Sequence, residues 1–360
     1  MRNIYYITNM FPSKKDNYGV FCKKTYDFFN NSNEFEISNM SAIYGKSQNK
    51  YFNILRYMKL LFSIFCNLIF RIKDFDIVYI QYVWKHAFFV SKFIPLLDKK
   101  KKKCFINFHG EDLTGYDNLS ESEKKSFQKL CEFASCIVVP SQYFKNLLLE
   151  VIPCKLGDKI FVTPSGGVDS IKFYKKNKLL KNNCIIYCSR FDADKGWDDF
   201  INAAEMLVNK GFDYKYIMIG YGKHTQLVRD MIASKKLNSS IELIINPKQE
   251  SIAEKYTESD VFIFPTRLAE SLGLVALEAM SCGLAVISSD IGAISEYVQN
   301  DSNGYMYEPG NVAELCEKII LFFSKNENEK LKMQANAYST ADKYKDSNVE
   351  KEFINRILEF

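Results

Sequence analysis

Residues 270–283 read ESLGLVALEAMSCG. Two glutamates, Glu270 and Glu278, bracket seven mostly apolar residues, and small residues and a glycine follow. The run before it, Val261–Pro265, reads as a buried strand, and Ala285–Ser288 reads as another. Strand, loop, a helix beginning near Leu272–Gly273 and a further strand form the repeat unit of a doubly wound α/β sheet. Ligands of such sheets bind at the carboxyl ends of strands, beside helix N-termini. Eight helical residues rise roughly 12 Å, and helical side chains lean toward the N-terminus. Glu278 is therefore expected to reach back toward a ligand at that end. Glu270, at the positive end of the helix, is favoured as an anion, and the exposed N–H groups there suit a diphosphate. Gly273, Ala276, Ala279 and Ser281 allow close packing on the sheet. The plain alternative is a first-turn glutamate and an exposed mid-helix glutamate.

Working outward, short β-rich runs alternate with longer helical ones. Strands are predicted at Asn3–Thr8, Ile77–Tyr82, Cys104–Phe108 and Cys136–Pro140, with helices near 19–31, 55–72, 85–98, 122–134 and 141–150. The stretch 164–183, PSGGVDSIKFYKKNKLLKNN, is rich in Gly, Ser, Lys and Asn and reads as a linker. Alternation then restarts with strands at Cys184–Ser189, Tyr216–Ile219 and Ile241–Ile245. Ser347–Phe360 shows one apolar helical stripe at 349, 353, 354, 357 and 358. Two successive βα arrays predict two domains, 1–165 and 166–345. The last helix, 346–360, is expected to pack back toward the first domain. A chain of 360 residues agrees with two cores rather than one.

Charge is uneven. Residues 1–165 carry 24 Lys/Arg against 15 Asp/Glu, a balance of +9, and the remainder carries 24 against 28, a balance of −4. The basic half points to a polyanion or an anionic membrane surface. Lys99–Lys103 is five consecutive lysines, and Tyr57–Arg71 is apolar with basic ends, so both are candidates for membrane contact. A solvated charge run and a core helix are the plain alternatives. The longest apolar run, Leu60–Phe70, reads as too short to span a bilayer. The ten cysteines form no CxxC pair and most sit in apolar runs, which fits reduced thiols in a cytoplasmic protein. The start, MRNIYYITNMFPSKK, lacks a long apolar signal region and reads as a first strand.

Other residues with chemical potential follow strands. Arg190 and Lys195 stand in SRFDADKG after the strand at 184–189, where two cations near a helix N-terminus can hold a diphosphate. Asp192-Ala193-Asp194 has the look of a metal-binding D-x-D but reads as loop acids, and no His/Cys/Asp cluster supports a metal elsewhere. His109 follows the strand CFINF and precedes Gly110, a place suited to hydrogen bonding in a ligand site. His86 and His224 carry no motif and read as surface residues. Gly19, in DNYGVF, permits close backbone approach to a phosphate or sugar, or is an ordinary turn glycine. Gly220-Tyr221-Gly222 lacks the third glycine of a dinucleotide fingerprint and reads as a strand–helix turn.

The stretch FPTRLAESLGLVALEAMSCGLAVISSDIGAISEYVQNDSNGYMYEPGN (264–311) resembles the donor-site signature of glycosyltransferase family 4, with its E-x7-E motif. FPSKKDNYGVFCKK (11–24), FHGEDL (108–113), VTPSGGVDSIKF (162–173) and CSRFDADKGWDDFINA (188–203) resemble the same family in the expected order. The family often has two glycines at the first of these turns, where this chain has Gly19 and Val20. The resemblance implies the GT-B architecture, two Rossmann-like doubly wound domains facing across a cleft. It implies a retaining glycosyltransferase with no covalent enzyme nucleophile. A UDP- or GDP-linked nucleotide-sugar is its donor, and no cofactor or metal is needed. Glu278 would hold the ribose, and Glu270 with the backbone of Ser271, Leu272 and Gly273 would contact the sugar. Arg190 and Lys195 would hold the diphosphate, and His109 would lie by the donor sugar. The implied acceptor is a glycan or polyprenyl-linked glycolipid of O-antigen or capsule assembly, on the inner face of the plasma membrane, with no nucleic-acid partner. The rivals are a nucleotide-sugar epimerase or hydrolase of the same fold and a non-catalytic sugar-nucleotide-binding scaffold. All four of Arg190, Lys195, Glu270 and Glu278 are present, which argues against the scaffold.

Overall fold

The computed structural model describes residues 1–14, 18–152, 156–175 and 183–360. Cys154, part of the segment 11–24 and the middle of the predicted linker lie outside the described residues. The chain divides into two compact units. One comprises Met1–Gly166 with Val349–Phe360, and the other comprises Gly167–Asn348.

The first unit is built on a six-stranded sheet. Its strands are β1 (Arg2–Phe11), β2 (Phe35–Tyr44), β3 (Ile77–Gln81), β4 (Lys103–Asn107), β5 (Cys136–Val139) and β6 (Ile160–Val162). They lie in the order β2-β1-β3-β4-β5-β6 and every pair is parallel. The connecting helices are α1 (Val20–Asn31), α2 (Lys50–Phe70), α3 (Lys85–Ser91), α4 (Ile94–Lys99), α5 (Glu111–Thr114), α6 (Glu121–Phe133) and α7 (Gln142–Val151). Alternation along β1 sends Tyr5 and Ile7 to a core shared with α2, α6 and α7. Ile4 and Tyr6 go to the opposite core, shared with α1. Local signals set the helix starts. Ser120 and Glu123 form a reciprocal cap on α6, and the side chains of Ser141 and Asn49 cap α7 and α2. The predicted helix 85–98 is two helices, because the chain turns at Lys92–Phe93 and Pro95 opens the second.

The second unit repeats the plan. Its strands are β7 (Cys184–Cys188), β8 (Lys215–Gly220), β9 (Ile241–Ile245), β10 (Val261–Phe264), β11 (Ala285–Ser289) and β12 (Gly304–Tyr307), in the parallel order β12-β11-β10-β7-β8-β9. Its helices are α8 (Trp197–Asn209), α9 (Thr225–Ser234), α10 (Gln249–Glu258), α11 (Leu274–Ser281), α12 (Val312–Ser324) and α13 (Glu327–Asp342). The last helix, α14 (Asp346–Glu359), buries Val349, Phe353 and Ile357. The Phe353 ring meets Phe28, Phe29, Tyr79 and Phe161 of the first unit's core.

Three strands escaped the sequence reading. β2 is an edge strand with polar residues throughout, β6 is three residues long, and β12 opens on glycine, so none shows a buried run. The bilayer reading of Leu60–Phe70 also changes. That run is the second half of α2, a helix of 21 residues that is long and apolar enough to cross a membrane by length and composition. Two histidines read as surface residues are not. His86 is fully buried, with Nε2 at 3.2 Å from the Gln81 carbonyl and Nδ1 at 3.4 Å from the Tyr57 hydroxyl. His224 is half-buried against the Trp197 ring.

Candidate functional site

In the second sheet the strand order reverses between β7 and β10. Chain runs from β7 outward to β9 on one side and from β10 outward to β12 on the other. A crevice opens at the carboxyl ends of two strands that diverge in this way. Two loops meet there, 189–196 after β7 and 265–273 after β10. They carry Arg190, Lys195, Glu270, Ser271, Leu272 and Gly273.

The loops are locked together. The Arg267 N–H donates to the Asp194 carbonyl at 2.7 Å. Gly196 sits at φ 66° before α8, and a Cβ there would lie 1.7 Å from the Pro265 carbonyl oxygen, so only glycine fits. The Arg267 guanidinium reaches Asp198 at 2.9 Å and also meets Asp199, both in the first turn of α8. Burial raises the Asp199 carboxyl, and Arg267 opposes that rise.

On this frame Lys195 Nζ lies 2.6 Å from Glu270 Oε1, and both side chains are largely buried. The fully buried Thr266 hydroxyl adds a contact to the same oxygen at 3.2 Å. The Glu270 carbonyl accepts from Ala293 N–H at 3.1 Å, which ties the backbone as well. An ammonium has three donors, so the Glu270 bond leaves donors for a ligand anion. Arg190 is exposed and pairs with Asp192 at 2.8 Å. Asp192 also accepts from Lys223 N–H, and Asp194 is an exposed loop residue. Among the described residues no group of three or more His, Cys, Asp or Glu is arranged to hold a metal ion.

Gly273 precedes α11 with φ 76°. A Cβ there would come within 2.9 Å of the Phe264 ring and the Tyr297 hydroxyl. The N-terminal amides of α11 therefore open immediately after the Glu270 loop. Leu272 buries its side chain in the core, and Ser271 is half-buried. Glu278 is half-buried on α11, near Cys188 and Tyr256, whose ionisation is disfavoured first by burial and further by its charge. The separation of the two glutamates is not the expected 12 Å of helix. α11 begins at Leu274, so helical rise covers only the last four residues, roughly 6 Å. The rest is set by the loop.

His109 and Gly19 belong to the first unit. His109 follows β4, its Nε2 contacts the Gln81 side chain, and its ring packs 4.4 Å from that of Phe21. Burial pushes its pKa down to about 3, so the imidazole is neutral. Gly19 has φ 84°, and a Cβ there would lie 2.7 Å from the carbonyl of Met10. The close approach this glycine makes is to its own strand, as an ordinary turn glycine would. Phe21 in the next helical turn brings the Gly19 turn and His109 together.

Sequence reasoning missed Thr266, Arg267, Gly196 and Asp112. Asp112 is fully buried and accepts the N–H groups of Val83 (3.0 Å), His109 (3.0 Å) and Gly110 (2.7 Å), joining the turns after β3 and β4. Burial raises its pKa to about 6 against the pull of those bonds. All four stand inside quoted stretches, but no spacing rule marks them, and the contacts of Gly196 with Pro265, Arg267 with Asp198 and Asp112 with Val83 join segments distant in sequence.

Residues 168–340 match the family described as "Glycosyl transferases group 1". The chain is 28% identical over 227 residues to the amylovoran biosynthesis glycosyltransferase AmsK of Erwinia amylovora, covering 61% of this chain and 54% of that one. It is 27% identical over 205 residues to the capsular polysaccharide biosynthesis glycosyltransferase CapM of Staphylococcus aureus, covering 53% of each. It thus spans about half the length of these relatives. The Anabaena protein HepE, solved in complex with UDP and glucose, superposes over the whole of both chains with a TM-score of 0.75 at 14% identity, a likeness of fold. Residues 168–340 are therefore a domain of the glycosyl transferases group 1 family, in a chain with the two parallel sheets of the GT-B fold.

Proposed function

We propose that this chain moves a sugar from a UDP- or GDP-linked nucleotide-sugar to a glycan or polyprenyl-linked glycolipid acceptor, with retention of anomeric configuration. The observation that carries the reading is the Lys195–Glu270 pair at the β7/β10 switch point, beside the amino end of α11. The α11 amides and Lys195 receive the diphosphate, and Arg190 adds a second cation that can leave Asp192 for it. Glu270 accepts from sugar hydroxyls, and Glu278 from those of the ribose.

In the reaction the acceptor oxygen bonds to the anomeric carbon as the bond to the diphosphate oxygen breaks. The acceptor proton passes to that departing oxygen on the same face. Charge that grows on the diphosphate meets Lys195, Arg190 and the helix amides, so these cations do the work a metal does in other transferases. Capsule or O-antigen assembly at the cytoplasmic face of the membrane is the setting proposed; that relatives act in amylovoran and capsular polysaccharide biosynthesis supports the polysaccharide part of it.

The test is nucleotide release from UDP-, GDP- and ADP-sugars by the purified chain and by Glu278→Ala, with and without EDTA. Slow release from one donor, indifferent to EDTA and lost in the variant, is the expected result. Release that converts the sugar without any acceptor would favour an epimerase or hydrolase. Binding without release would favour a non-catalytic scaffold, and absence of both across the panel would overturn the reading.

A further inference from the structure

α2 has two apolar faces. Leu60, Ile64 and Leu68 form the inner one, buried in the first unit's core. The Ser63 hydroxyl meets that of Ser41 on β2 at 2.6 Å, and the Tyr57 hydroxyl meets His86 of α3. The outer face carries Tyr51, Leu55, Met58, Phe62, Phe65 and Ile69 at alternating intervals of four and three, one continuous helical stripe. All six are exposed, Phe62 by 69%, and Phe70 at the end of the helix is 75% exposed. Nine of the 20 exposed large apolar residues described in the chain fall within residues 51–70. Scattered exposed apolar residues are ordinary, but this concentration is not.

Tertiary structure joins this stripe to the lysine run. Phe93, between α3 and α4, packs on Phe65 with ring centroids 6.2 Å apart, and Phe65 also meets Phe70. α4 leads from Phe93 to Lys99, and Lys99, Lys100 and Lys101 are exposed. Lys102 lies over the ring of Phe75, just past the end of α2. From residue 37 to residue 73 there is no Asp or Glu, while Lys46, Lys50, Arg56, Lys59, Arg71 and Lys73 are all basic.

We propose that the outer stripe of α2 and the run Lys99–Lys102 form one surface that docks in the plane of an anionic phospholipid leaflet. Three observations select this occupant. An apolar stripe on a helix whose charged residues are all basic matches lipid tails beneath anionic headgroups. Two copies meeting through the same stripe would bring Lys50 and Lys59 against their own kind with no acid on α2 to pair them. Crossing the bilayer would strip Leu60, Ile64 and Leu68 from the core they complete. The inference stands whether or not the second unit transfers sugar.

The test is co-sedimentation of the full chain with vesicles of phosphatidylcholine alone or mixed with phosphatidylglycerol. Tight, salt-weakened binding to the mixed vesicles is expected, roughly tenfold or more above binding to the neutral ones. The double variant Met58→Glu with Phe62→Glu should lose at least about tenfold in binding. It should keep its far-ultraviolet dichroism and its nucleotide affinity, since both positions are exposed. Lys99→Ser with Lys100→Ser and Lys101→Ser should lose the preference for the anionic vesicles and keep the weaker neutral binding. Phe62→Trp should shift its fluorescence to the blue on mixed vesicles. Equal binding by the wild type and the glutamate variant overturns the proposal. So does a dimer in sedimentation velocity that the same variant dissolves, or vesicle binding that survives carbonate extraction.

Discussion

The carboxyl ends of the two sheets handle buried charge differently. In the second unit, Lys195 and Glu270 stand as a short ion pair with Arg190 and Asp192 nearby. In the first, His109 is held neutral by burial and the Asp112 carboxyl is raised to about 6. The same fold plan thus yields one end built on an ion pair and one where a lone carboxylate is held by backbone amides. The difference comes from what each loop buries. Lys195 and Glu270 go under together, so each offsets the other's desolvation. His109 and Asp112 have no opposite charge among their contacts and are satisfied by amide groups instead.

Breaking the charged end should have the largest effect. Lys195→Ala removes the cation aimed at the departing diphosphate and should slow nucleotide release by roughly 100- to 1,000-fold. Single-turnover rates on the donor found above would check it. Because the variant also leaves Glu270 buried without its partner, Lys195→Ala with Glu270→Gln should recover stability without recovering rate.

At the end of the first sheet the effect should be on folding. Asp112→Ala leaves three backbone donors without their acceptor and should cost about 3 kcal/mol. Urea unfolding at neutral pH measures this, and a loss under about 1 kcal/mol would mean that water replaces the carboxylate.

The smallest effect sharpens the comparison through pH. Burial lowers His86 to about 4, below the ordinary histidine value. The unfolded chain then binds the extra proton between about pH 6.5 and 4, so stability falls as pH falls through that window. Asp112 acts the other way, because its raised pKa makes the folded chain hold a proton longer as pH rises from the ordinary carboxylate range to about 6. His86→Gln keeps a donor for the Gln81 carbonyl and should remove roughly 2 kcal/mol of the stability difference between about pH 7.5 and 5. An unchanged difference would place the acid sensitivity elsewhere.

Much of this was legible in the chain. The two βα arrays, nine of the described strands and the loop positions of Arg190, Lys195 and Glu270 follow from local patterns, because buried parallel strands are short, apolar and flanked by turn residues. The sequence placed Lys195 and Glu270 each after a strand. It did not say that β7 and β10 are neighbours, since pairing is set by the strand order of the whole sheet. For the same reason it could not see Arg267 reach α8, or Asp112 tie two turns together. His86 was misjudged because a lone histidine carries no local sign of burial.

α2 shows the division in one element. Its apolar character and its lack of acids are written in residues 50–70. Which stripe turns inward is decided by the sheet, which takes Leu60, Ile64 and Leu68 and leaves Met58 and Phe62 outside. Periodicity alone cannot choose between two apolar faces of one helix. The sequence therefore determined which segments fold, and how. Packing decided which charges met and which apolar face remained exposed, because both depend on neighbours far away along the chain.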